Sequence, residues 1–62
     1  MDYRAEVINE ARKAIAEMPQ HKPKIIDAVD WTLMEMDDGE SEANEYELFM
    51  GRLDEIREDE GE

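Results

Sequence analysis

The sequence predicts an all-α protein, a small antiparallel three-helix bundle. Three observations carry that prediction: apolar residues recur every three or four positions in three segments, proline or glycine stands at each boundary, and the connectors are short enough to favour antiparallel neighbours. At 62 residues the chain holds one domain at most. A helical hairpin plus a third helix, its core completed by homodimerisation, is the alternative architecture. Residues 1–57 form the expected helical domain, and 58–62, reading EDEGE, an acidic tail with nothing to bury that should fray.

The first helix is expected from about Asp2 to Met18. Tyr3, Val7, Ile8, Ala11, Ala14, Ile15 and Met18 fall on one stripe, with Glu6, Glu10, Lys13 and Glu17 opposite. Asp2 suits the N-cap, and Pro19 stops the segment because it cannot continue the hydrogen-bond ladder. Gln20, His21 and Lys22 form a connector. Pro23 suits the first turn of a second helix, where its missing N–H would have no partner anyway. That helix is expected to run to Asp37 with Ile25, Ile26, Val29, Leu33 and Met36 as its core stripe, and Gly39 supplies a left-handed stop. Ser41 or Asp38 caps a third helix reaching about Arg57. Its stripe is Tyr46, Phe49, Met50, Leu53 and Ile56, and Glu42 and Glu45 sit at the positive end of its dipole.

Composition alone points elsewhere. Leu, Ile, Val and Phe supply only 11 residues against a net charge of -12, a balance that resembles disordered chains, and only the periodic placement of the apolar residues argues for folding. A core in a chain this short contributes roughly 3–5 kcal/mol at best. The length leaves no room for a cofactor-binding fold, so no cofactor is expected. The absence of Cys removes disulfides, thiolate metal sites and a Cys nucleophile. No run approaches the roughly 20 apolar residues of a membrane span, and MDYRAEVINE lacks a basic region followed by an apolar one. A soluble, cytoplasmic protein is the expectation, in a host cytoplasm if phage- or plasmid-encoded. Direct binding to nucleic acid or to anionic membranes is disfavoured, since both are polyanions.

Catalysis has few candidates, and no enzyme is expected. His21 is the one imidazole and stands in a Pro-flanked connector beside Lys22 with no carboxylate placed to orient it, which fits a solvated loop residue. Ser41 is accounted for by capping; Thr32 is the other aliphatic hydroxyl. The many carboxylate pairs lie on open helix faces, without the burial that would divide them into acid and base. A calcium loop centred on Gly39 fails on its donors: with Gly39 at the sixth position, Met34 and Met36 occupy the first and third, and thioethers do not bind calcium. No metal site is expected.

The charge is lopsided. Residues 1–24 carry five basic and four acidic side chains, whereas the remaining 38 carry 15 acids and only Arg52 and Arg57. The result is a negative field able to steer a basic partner. Asp27, Asp30 and Asp37 on the second helix, Asp38 after it, and Glu47, Asp54 and Glu58 on the third project from non-core faces. Trp31 and Met34 fall opposite the core stripe, beside Asp27, and Leu48 is off the stripe of the third helix. Either the second helix is central and covered on two sides, or Trp31 and Met34 anchor an interface with an acidic rim. The function read from this is a small acidic module that docks on a basic, nucleic-acid-binding partner as an inhibitor or regulator, in the manner of a DNA mimic, a counter-defence protein or an antirepressor. Its contact residues are Asp27, Asp30, Trp31, Met34, Asp37, Asp38, Glu47, Asp54 and Glu58. The alternative is a structural homodimer or assembly component whose acid serves solubility or life at high salt.

Overall fold

The computed structural model describes residues 1–60. Helix α1 spans Tyr3–Glu17, a single 3-10 turn covers Pro19–His21, α2 spans Lys22–Asp37 and α3 spans Glu42–Glu60; among the described residues there is no strand. Asp2 caps α1 by accepting from the Ala5 N–H at 3.2 Å. Met18 closes it by donating its N–H to the Ala14 carbonyl. The expected open connector is instead a tight turn, in which His21 is half-buried as the residue preceding α2. Gly39 adopts φ 98°, and two hydrogen bonds finish α2 around it: the Gly39 N–H to the Met36 carbonyl and the Glu40 N–H to the Glu35 carbonyl, each 3.2 Å. That pairing needs a left-handed residue at Gly39. Ser41, not Asp38, caps α3, its Oγ accepting from the Asn44 N–H at 3.3 Å. The third helix continues to Glu60, past the expected end at Arg57, so residues 58–60 extend it; the rest of the expected tail lies outside the described residues.

Three contacts fix the topology. Tyr3 and Tyr46 stack in a tilted pair with centroids 5.6 Å apart, joining the starts of α1 and α3. Arg57 bonds Glu17 at 3.3 Å and joins their ends. α1 and α3 are therefore parallel. Arg4 at the start of α1 reaches Asp37 at the end of α2, so α2 runs antiparallel to both, the up-down-up arrangement that the connector lengths predict.

Phe49, Met18, Ile25, Leu53 and Val7 are fully buried at the centre, with Ala11, Ala14, Ala28 and Met36 completing the core. Tyr3, Ile15, Val29, Leu33, Tyr46, Met50 and Ile56 pack half-buried around them. The structure corrects the expected stripes at two residues: Ile8 is 38% exposed and Ile26 is 41% exposed. On α2 the buried row is Ile25, Ala28, Thr32 and Met36, rotated by roughly 50° from the expected one at 100° per residue. Ala28 and Thr32 take the inward positions on the side of α2 that meets Arg52 and Ile56 of α3, and with that side turned inward Ile26 faces solvent. Glu45, expected merely as a first-turn carboxylate, is 5% exposed because it lies one turn before Phe49 on the inner side of α3.

Replacing Phe49 with Ala removes about 3–5 kcal/mol, as much as a core of this size supplies, so the F49A chain should lose its helical circular dichroism at room temperature. The two glycines within and beside the helices should respond with opposite signs. A Cβ at Gly39 is strained by its positive φ and costs about 1–2 kcal/mol, whereas Gly51 sits exposed within α3 with nothing within 4 Å of an added Cβ, so Gly51→Ala should stabilise by about 0.5–1 kcal/mol in urea melts.

Candidate functional site

The outer surface of α2 is built by the same rotation that sets the core. Ile26, Asp37, Asp30, Met34, Asp27 and Trp31 occupy in that order an arc of about 140° turned away from the buried row, all of them exposed. Trp31 is 49% exposed and Met34 46%. The arrangement in which α2 is covered on both sides by α1 and α3 is thereby excluded for these two residues. Asp27 lies three residues before Asp30 and four before Trp31, and Asp30 lies four before Met34, so these four form one compact patch with neighbouring Cβ atoms roughly 5–6 Å apart.

Trp31 stands at the flank nearest α3. With Lys24, Asp27 and Ala28 it makes one wall of an open groove of about 520 Å³, the other wall being Arg52, Glu55 and Ile56 of α3. The short Ala28 side chain leaves space between α2 and α3 at this point. Arg52 leans against α2, its guanidinium donating to the Thr32 Oγ1 at a long 3.4 Å, and is half-buried in consequence. Among the described residues no buried side-chain polar atom lacks a hydrogen-bond partner.

The residues expected to act together fall into two sets. Asp27, Asp30, Trp31 and Met34 are brought together; Asp37 flanks them and Asp38 stands at the helix end. Glu47, Asp54 and Glu58 share a separate row on α3, within about 40° of one another and roughly 100° from the Leu48, Arg52 and Glu55 edge that faces α2. The acidic surface is thus two faces divided by that edge. Leu48, 49% exposed, lies one turn before Arg52 on the edge. Lys24, Ala28, Arg52, Glu55 and Ile56 were not legible as a set in the sequence, because no pattern along the chain pairs residues 24–31 with 52–56. A groove-forming small residue on the α3 side of α2 was the one available signal.

Three of the basic side chains are held in ion pairs, two of them with members of these faces, Asp37 and Asp54. Arg4 bonds Asp37 at 2.6 Å and Glu42 at 3.3 Å, and Asp37 chiefly, with Glu42, raises its pKa further above the ordinary guanidinium value, so Arg4 stays charged through any working pH. Arg57 holds Glu17 and Asp54, and Lys13 holds Glu10. Five carboxylates are engaged in these pairs. Asp27, Asp30, Glu47 and Glu58 form no ion pair among the described residues.

Among the described residues no group of three or more His, Cys, Asp or Glu side chains could hold a metal ion, and no helix is long and apolar enough to cross a membrane. Comparison of the chain with protein-family models, with curated proteins and with solved structures gave no match.

Exposed ion pairs contribute only about 0–1 kcal/mol each, so the repulsion of a net charge of -12 dominates the long-range electrostatics of the fold. Raising ionic strength from about 0.01 M to about 1 M shortens the screening length from roughly 30 Å to 3 Å. The melting temperature should accordingly rise by about 5 °C or more over that range, read by circular dichroism. A fall would mean that the Arg4 and Arg57 clamps outweigh self-repulsion.

Proposed function

We propose that this chain is a non-enzymatic binding module that docks on a basic surface of another protein through the outer face of α2. The observation that carries the reading is a single one: Trp31 and Met34 stand exposed among Asp27 and Asp30, and neither Asp forms an ion pair among the described residues. Trp offers a large rigid contact and Met an adaptable one, and carboxylates around them favour Arg and Lys on the partner. The separate Glu47, Asp54 and Glu58 row adds to the long-range field that speeds encounter. The finer version is an inhibitor or regulator of a nucleic-acid-binding protein. Carboxylates three or four residues apart on a helix are spaced comparably to the phosphates of a strand, so the same partner groove can accept either.

Immobilised chain incubated with a native lysate should retain a basic, nucleic-acid-binding protein that added duplex DNA displaces. Asp27→Asn combined with Asp30→Asn should weaken retention by about tenfold or more and flatten its salt dependence, with the fold unchanged because neither side chain holds an internal pair. Retention of neutral proteins alone, indifferent to DNA, would overturn the reading.

The exposed apolar surface of Ile26, Trp31, Met34 and Leu48 supports a second reading, a structural homodimer whose acid serves solubility. In that case Trp31→Ala should halve the mass seen by light scattering and lower the melting temperature together. A variant of unchanged mass and melt removes it.

A further inference from the structure

We infer that the hole over Ala28, between α2 and α3, is the receptor for one apolar side chain of a partner helix that is itself cationic and amphipathic. This rests on the reading of the chain as a module for basic partners and specifies how the partner sits. Buried Ala28 lies at the floor, exposed Trp31 of α2 and Ile56 of α3 line the sides, and the groove is widely open to solvent. A hole formed by residues of two packed helices is the shape that takes a knob from a third helix lying along them. Helical geometry of the occupant follows from hydrogen bonding: α2 and α3 satisfy their own backbone groups, so an extended peptide would find no edge to pair with, whereas a helix brings its own bonds. A small molecule is disfavoured by the openness of the groove, which cannot enclose most of a ligand surface.

The charge of the occupant follows from the rim. At the mouth Lys24 and Arg52 balance Asp27 and Glu55, and Asp30 and Asp59, exposed along the same rows, tip the surroundings of the groove to net negative. A second copy of this chain meets that rim unfavourably. A dimer through this face would bring together two acidic rows on chains of net charge -12 each.

Trp31 is the only tryptophan in the chain and reports directly on the groove. The test uses the full chain with two synthetic peptides of identical Leu and Lys composition, one amphipathic at helical spacing and one scrambled, at low ionic strength. The amphipathic peptide should shift Trp31 emission to the blue and bind about tenfold or more tighter than the scrambled one, which should leave the emission unchanged. Ala28→Leu projects three more carbons from the floor into the path of an incoming side chain and should reduce both the shift and that tenfold advantage. Trp31→Ala, which changes an exposed residue and so keeps the fold, should remove the same advantage when a labelled peptide is followed by anisotropy. Equal binding of both peptides with unaltered emission would overturn the inference and leave the charge-steered module standing. No binding of either peptide would overturn both. A dimer in light scattering that Ala28→Leu dissociates would assign the hole to a second copy and likewise overturn the cationic occupant.

Discussion

The burial of the Ile25, Ala28, Thr32 and Met36 row of α2 decides most of what this protein presents to its surroundings. Ala28 and Thr32 lie on the side of α2 that meets α3, where Arg52 bonds Thr32 and Ile56 lines the groove with Ala28. Once that side of α2 is committed to α3, the helix has no rotational freedom left. Ile26 must turn toward solvent, Trp31 must stand at the flank of the seam, and Met34 must face outward between Asp27 and Asp30. The core and the candidate surface are therefore two consequences of one rotation.

A second constraint is the scarcity of positive charge. Of seven basic side chains, Arg4 and Arg57 are spent at opposite ends of the bundle, where each ties two or more elements together: Arg4 joins the start of α1 to the end of α2 and the start of α3, and Arg57 joins α3 to the end of α1. The middle of α2 is left without a partner cation. The same repulsion that lowers the stability of the compact state thus creates an unneutralised field where apolar anchors are exposed.

The division of the acids into two faces bears on how such a surface could compete with a polyanion. A duplex offers charge on a continuous curved front, whereas here the rows on α2 and on α3 are separated by the Leu48, Arg52 and Glu55 edge. Contact and steering can then belong to different faces: short-range apolar complementarity to α2, and the far field to both. Gly51 stands on the outward side of α3 beside the Glu47 and Asp54 row, and nothing within the chain explains a helix-weakening residue there.

By itself the sequence determined the number of helices, their boundaries to within about three residues, the cap at Asp2, the left-handed stop at Gly39 and the placement of Trp31 and Met34 off the core stripe. Each of these is a local or periodic property: a cap needs one oxygen at a fixed offset, and a stripe needs apolar residues every three or four positions. The choice of Ser41 over Asp38 as the cap of α3, and the exposure of Trp31 and Met34, came from the structure. Only the tertiary structure decided which small residues become core, why Ile8 and Ile26 do not, that Glu45 is buried, and that residues 24–31 meet residues 52–56 across a groove. The physical reason is that hydrophobic periodicity weights side chains by their apolar area, whereas the packing of one helix on another sets which side turns inward. Ala28 and Thr32 carry almost no signal on the first measure and lie buried all the same.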